Sequence, residues 1–367
     1  MKAILVLEDG SIFRGYGFGA KAKTSGEVVF NTGMVGYPES ITDPSYAGQI
    51  LCQTYPLIGN YGIDPSCFES DRPQISGYIA GEICNFPSHH TSKHSLTEWL
   101  AASGIPGIAG IDTRELTRKL RAKGVMLGML QTYENEEDIN EAELAEKSKN
   151  IDDPNKKDLV SAVACKEPVE YEPQNHNGIT IAALDLGIKM NMIRRLNSKG
   201  CRIIRLPPSS SADKVISYNP HGILISNGPG DPKKAGYSVK TIRQLMEYKT
   251  PMMGICLGMQ LLALALNGNT YKLKYGHRGQ NHPVIDMKTG RCYITSQNHG
   301  YAVDAGSIKG KDIGLTFVNA NDKTAEGMES RRHNFSAFQW HPEHAPGPAD
   351  TEHLFDSFIE TIQKEKR

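Results

Sequence analysis

A cysteine with glycine two residues to either side, Gly254-Ile255-Cys256-Leu257-Gly258, joins two apolar runs and constrains the possible folds more than any other feature of this chain. Pro251-Met252-Met253-Gly254-Ile255 reads as a short buried strand, and Met259 to Leu266, apolar except for Gln260, reads as a buried helix. A strand running straight into a helix is the repeating unit of an α/β sheet. The two glycines let the backbone turn tightly and let the helix lie close to the strand. A cysteine there takes the place of the serine in a nucleophile elbow and faces the positive end of the helix, which favours the thiolate. A cysteine considered alone is more often a buried core thiol, so the case rests on what accompanies it.

About 85 residues downstream, Phe335-Ser336-Ala337-Phe338-Gln339-Trp340-His341-Pro342-Glu343 alternates like a strand and stops at a histidine, because Pro342 cannot continue a ladder. Glu343 follows within reach of the imidazole. Cysteine, histidine and carboxylate are the nucleophile, the general acid/base and the orienting group of a thiol acyl-transfer site. A third segment, the strand Gly222 to Ser226, opens into Asn227-Gly228-Pro229-Gly230-Asp231-Pro232, a rigid Gly/Pro turn.

These pieces sit in a strand–helix alternation that predicts a doubly wound sheet: strands at 179–184, 201–206, 222–226 and 251–255, with helices at 189–199, 212–218 and 238–248. Asp185, Asn227 and Cys256 each follow a strand C-terminus, where open α/β sheets place their ligands. From Tyr271 to Trp340 the pattern is more antiparallel, with strands expected at 293–295 and 315–318. Upstream, Ala3 to Phe13 reads as two strands around an Asp-Gly turn, further strands run to about Cys84, and 96–100 and 113–123 are helical in pattern.

Between the two parts lies a charged stretch with Glu134, Glu136, Glu137, Asp138 and Asp152-Asp153, followed by Pro168 and Pro173, and Glu141 to Lys149 within it has the composition of a solvated helix. The domains expected are therefore 1–130, a connecting segment and linker at 131–177, and 178–367.

Among 367 residues, 41 basic and 41 acidic side chains cancel, so no whole-chain field favours nucleic acid or an anionic membrane. Seven scattered cysteines without C-x-x-C spacing argue against a disulfide framework or a zinc site and for a reducing cytoplasm. No apolar run is long enough for a signal peptide or a membrane span. His89-His90 with His94, and His341 with His344, have loose metal spacing but no completing ligand, so no metal is expected.

The Cys256 segment through Gln260, together with His341-Pro342-Glu343, resembles the class I (triad) glutamine amidotransferases. The N-terminal segments Glu27 to Met34 with Gly36-Tyr37, Asp43 to Gln49, and Gly110-Ile111-Asp112-Thr113-Arg114 resemble the N-terminal domain of the carbamoyl phosphate synthetase small-subunit family. Asp185 to Asn191 and Gln297-Asn298-His299-Gly300-Tyr301 fit that family too, with Tyr301 where it more often has Phe. The resemblance spans nearly the whole chain. It implies an α/β protein with a mixed α/β N-terminal domain and a doubly wound C-terminal amidotransferase domain.

By that resemblance Cys256, His341 and Glu343 form the triad, the amides of Gly230 and Leu257 form the oxyanion hole, and Ser45, Gly228, Gly230, Leu257, Gln260, Asn298, Gly300 and Tyr301 hold L-glutamine. Ser45 could equally cap a Pro-Ser turn, and Gln260 could be a polar side chain satisfied inside a buried helix. The family implies a large synthetase subunit as partner in a heterodimer. That subunit would bind ATP and Mg and use two ATP with bicarbonate and the released ammonia to make carbamoyl phosphate for arginine synthesis, pyrimidine synthesis or both. This chain itself shows no phosphate-binding Gly-rich loop and no cofactor is expected in it. A stand-alone small-amide hydrolase, the glutaminase subunit of another amidotransferase and a non-catalytic regulator are the alternatives.

Overall fold

The computed structural model describes residues 1–365 and divides the chain into two compact units, Met1–Lys157 and Asp158–Arg367. The N-terminal unit is built on a closed seven-stranded barrel. Around it run Lys2–Leu7, Ile12–Gly19, Pro106–Ala109, Gly77–Ile79, Gln49–Gln53, Lys23–Asn31 and Met126–Tyr133, the last pairing back onto the first. The expected Asp-Gly turn joins the first two strands, with Gly10 at φ 85. Closure leaves no free strand edge. The helices Tyr37–Thr42, Leu96–Ala102 and Thr113–Lys123 accompany the barrel, and the predicted helices 96–100 and 113–123 are both present.

The charged connecting segment does not behave as one linker. Its helix, Glu141–Ser148, buries Leu144 against Ile4, Val6, Met129 and Tyr133 of the barrel. Farther on, the Asn155 amide donates to Glu27, a buried carboxylate of the barrel, at 3.1 Å. Beyond Lys157 the chain belongs to the other unit, where Val169–Tyr171 adds an antiparallel edge strand to Arg202–Leu206. The division therefore falls near 157 rather than 177. Charge content reports how much of a segment is solvated, and a few buried residues such as Leu144 suffice to anchor it.

The C-terminal unit holds a ten-stranded sheet. At its centre Arg202–Leu206, Thr180–Leu184, Gly222–Ile225, Met252–Ile255 and Phe335–Phe338 run parallel in that spatial order. Ala325–Ser330, Gly314–Asn319, Thr270–Asp286 and Cys292–Val303 extend it antiparallel. The strands expected at 293–295 and 315–318 are thus parts of longer ones.

Side chains along the central strands alternate between two cores. Ala182, Leu184, Ile223 and Ile225 join the helices Gly236–Leu245 and Leu257–Ala265 on one face, while Ile181, Ala183, Leu224 and Met253 join Met190–Ser198 and His353–Glu365 on the other. Burial on both faces explains the near-continuous apolar runs of these strands. Among the described residues no helix is long and apolar enough to cross a membrane.

Candidate active site at the strand C-termini

Cys256 lies between the strand Met252–Ile255 and the helix Leu257–Ala265 with φ 54 and ψ −105, a conformation unusual for a residue with a side chain. The flanking glycines are required sterically. A Cβ on Gly258 would stand 2.1 Å from the Ile225 carbonyl oxygen, and one on Gly254 would stand 2.5 Å from Leu262 Cδ1. The Cys256 amide donates to the Phe338 carbonyl at 2.7 Å, tying the turn to the neighbouring parallel strand.

That same strand carries the histidine. Phe335–Phe338 ends three residues before His341, whose amide donates to the Ser296 carbonyl at 2.9 Å. His341 Nδ1 lies 2.6 Å from Glu343 Oε1, and both side chains are buried. His341 Nε2 is buried without a hydrogen-bond partner, and the Cys256 thiol acts on the imidazole, so this nitrogen is the one left to face the sulfur. Burial, the largest single influence, and the Lys189 charge work against the imidazolium, but the Glu343 charge together with hydrogen bonding to Cys256 and Glu343 outweighs them and the His341 pKa rises above its ordinary value. For Glu343 burial pushes upward, while Lys189 and then His341 pull harder the other way and hold the carboxyl well below its usual range.

Lys189 is the participant that sequence reasoning missed. Its Nζ is 3.1 Å from Glu343 Oε1, donates to the His344 carbonyl at 2.6 Å, and is buried with its partner. The Asn191 amide also donates to the Glu343 carbonyl. Lys189 had been legible only as the start of a helix, since nothing in the local sequence pairs it with a carboxylate 154 positions away.

The Gly228 turn stands beside the nucleophile: a Cβ there would lie 2.0 Å from the Leu186 carbonyl oxygen and 2.9 Å from Leu257 Cδ2. Gly230 has φ 83. Leu257 opens the helix, and a first-turn amide has no acceptor within its own helix, which leaves it available to an oxyanion. On the opposite side, Cys256 Sγ is 3.7 Å from the Asn298 carbonyl. Gln260 Nε2 donates to the Tyr301 carbonyl at 2.8 Å and to Gln339 Oε1 at 3.1 Å, so this amide holds the 298–301 strand segment onto the nucleophile's helix. Gly300 lies in that segment against the Arg278 guanidinium. The structure therefore gathers Cys256, His341, Glu343, Gly228, Gly230, Leu257, Gln260, Asn298, Gly300 and Tyr301 within one unit. Ser45 belongs to the other unit, in the short turn Pro44–Tyr46, where its amide donates to Asp43 at 2.9 Å.

Beneath the 297–301 strand lies a polar network that the sequence did not reveal. Among the described residues His277, His299 and Glu326 form a group of potential metal ligands whose atoms lie within 4.8 Å of one another. Three of the four ring nitrogens have hydrogen-bonding partners, and His277 Nδ1 lies near a carboxylate without a hydrogen bond to it. His277 Nε2 is 2.9 Å from Asp322 and Nδ1 3.3 Å from Glu326, and His299 lies at 2.8 Å from the Tyr301 carbonyl and 3.0 Å from Gln297 Oε1. Burial holds His299 neutral, whereas His277 is raised: burial alone would lower it, and Glu326 and Asp322 overcome that. The arrangement is that of a hydrogen-bonded support for the 297–301 strand.

Both units are similar to known proteins. The family model described as carbamoyl-phosphate synthase small chain, CPSase domain, matches residues 5–130, and that described as glutamine amidotransferase class-I matches residues 182–361. The carbamoyl phosphate synthase small chain of Syntrophotalea carbinolica is 45% identical, with 100% of this chain and 99% of that one covered. This chain belongs to the carbamoyl phosphate synthase small-chain family. The carbamoyl phosphate synthase small chains of Fusobacterium nucleatum and Bacillus caldolyticus are each 46% identical, covering 98% and 99% of this chain and 97% of their own. As a member of the small-chain family with a class I amidotransferase domain, the chain is a glutamine-hydrolysing enzyme subunit, and the expected two-part α/β architecture is the one observed.

Proposed function

We propose that Cys256, His341 and Glu343 release ammonia from L-glutamine through a thioester and that a large synthetase subunit consumes it. The observation that carries this reading is the buried His341, with one ring nitrogen on Glu343 at 2.6 Å and the other left to the thiol at the strained strand–helix turn. The Cys256 thiolate attacks the side-chain amide carbon, and the amides of Gly230 and Leu257 stabilise the resulting oxyanion. The His341 imidazolium gives its proton to the departing nitrogen, the C–N bond breaks, and ammonia leaves a glutamyl thioester. Neutral His341 then takes a proton from water as it attacks the thioester, which restores the thiol and frees glutamate. Gly228, Asn298, Gly300 and Tyr301 would orient the substrate, with Gln260 as a further contact.

The bicarbonate and the two ATP, with Mg, belong to the partner in this reading, and the complex is a heterodimer at the least. The test is Cys256→Ser in the complex of this chain with its large subunit. Glutamine-dependent carbamoyl phosphate formation should vanish, because a serine hydroxyl is not ionised near neutral pH, while synthesis from added ammonia continues. Equal loss of both activities refutes the assignment.

A further inference from the structure

We propose that Asp185, at the end of the central strand Thr180–Leu184, is a positioning residue that holds both halves of the glutaminase site in register; the proposal rests on Cys256 as the nucleophile. Asp185 is fully buried and accepts four hydrogen bonds. Oδ1 takes the amides of Gly187 and Ile188, each at 2.8 Å, and Oδ2 takes Arg205 Nε at 2.6 Å and the Cys165 amide at 2.7 Å. Four donors on one side chain match the acceptor capacity of an ionised carboxylate and exceed that of an amide. The carboxylate thereby sets the turn Leu186-Gly187-Ile188 and the direction in which Lys189 leaves it.

That turn touches both halves of the site. Toward the oxyanion side, the Leu186 amide donates to Ser226 Oγ at 2.9 Å, the Lys189 amide donates to Asn227 Oδ1 at 3.0 Å, and the Leu186 carbonyl packs under Gly228. Toward the acid–base side, Lys189 Nζ reaches Glu343 Oε1 and the His344 carbonyl. The loop that should present Gly230 and the carboxylate that orients His341 are thus referenced to the same segment, Leu186 to Lys189, and that segment is referenced to Asp185. Asp185 touches neither the thiol nor His341, so it acts only through these intermediaries.

The experiment compares Asp185→Asn, Ser226→Ala, Lys189→Met and the double variant Asp185→Asn/Lys189→Met in the complex with the large subunit, with Cys256→Ser alongside. Asp185→Asn turns an NH2 toward Arg205 and the Cys165 amide. It should lower kcat for glutamine on the order of 10- to 100-fold with KM nearly unchanged, while ammonia-dependent synthesis keeps its rate. The double variant should lose less than the product of the two single losses, because both act on the Lys189–Glu343 contact, whereas unrelated structural damage would multiply. Ser226→Ala, a milder change that removes an acceptor of the same turn, should show the same kcat split and decides the matter if Asp185→Asn does not fold. A wild-type glutamine kcat, equal loss with glutamine and ammonia, or full multiplicativity overturns the proposal. If Cys256→Ser retains glutamine-dependent synthesis, the nucleophile assignment fails instead, and the two failures are distinguishable.

Discussion

Replacing Gly258 by alanine sets two effects against each other that the structure allows to be weighed. Alanine is the better helix former, worth about 1 kcal/mol over glycine within a helix. Against this, the new Cβ would stand 2.1 Å from the Ile225 carbonyl oxygen and 3.1 Å from that of Ser226, where real Cβ contacts essentially never fall below 3.0 Å. Both obstacles are backbone atoms at the end of a central strand, so no side chain can swing aside, and the helix must retreat by about 1 Å. Overpacking of this kind costs about 3 kcal/mol at the upper end, and it wins by about 2 kcal/mol. For a unit of this size that is a fall in Tm of about 4–8 °C.

The helix also carries Cys256 and the Leu257 amide, and a displacement near 1 Å at reacting atoms costs about 100-fold in rate. Calorimetry of the chain together with glutamate release by the complex measures both. Gly236→Ala is the control, since it opens the helix Gly236–Leu245 and has nothing within 4 Å of its Cβ; it should leave Tm and rate intact. A Gly258→Ala protein with wild-type Tm and turnover would refute the steric argument.

His341→Asn should lower glutamine turnover by several orders of magnitude, and Glu343→Gln by less, since the amide keeps a hydrogen-bonding group beside the imidazole but loses its charge; initial rates of glutamate release rank the two, and a Glu343 variant worse than the His341 variant contradicts the roles. Glu343 also links stability to pH. Its folded pKa lies below its ordinary 4.5, so its contribution is present above that value and is lost as the pH falls toward the depressed folded value. The Tm advantage of the wild type over Glu343→Gln, measured by calorimetry, should therefore shrink steadily below pH 4.5, and a gap that widens on acidification would show the carboxylate to be wrongly assigned.

The elbow at Cys256 and the strand end at His341 were legible because both depend on local pattern: glycine spacing at a period change, and a proline after an alternating run. Neighbouring strands could not be read in the same way. That 252–255 and 335–338 lie side by side follows from pairing across the chain, and only this pairing brings the two residues together. Lys189 and Glu326 stayed hidden because a charged residue in a mixed sequence looks solvated until its partner is known, and their partners are set by tertiary packing. The barrel of the N-terminal unit escaped notice for a related reason. Gly77–Ile79 and Pro106–Ala109 are three and four residues long and wholly buried, too short to show a period. Gln260 was read through the family as a substrate contact, with a polar side chain satisfied inside a buried helix as the alternative; its amide nitrogen donates to Tyr301 and Gln339, partners that no one-dimensional pattern could name.

Lys189 makes a prediction whose sign distinguishes an electrostatic role from simple packing. Burial lowers the His341 pKa, Glu343 raises it and Lys189 lowers it, the net result being a raised value. Lys189→Met removes one of the two lowering influences, so the imidazolium should persist to higher pH. The same change leaves His341 as the cation paired with Glu343. Expulsion of ammonia requires the protonated ring, which sets the basic limb of the profile, and attack of water on the thioester requires the neutral ring, which sets the acidic limb. Both limbs should therefore move upward, and with them the optimum for glutamine hydrolysis, while the profile for ammonia-dependent synthesis stays where it was. Glutamate release by the complex across a pH series measures the shift. An optimum that stays fixed would reduce Lys189 to a packing residue, and one that moves to lower pH would mean that its charge acts on His341 with the opposite sign.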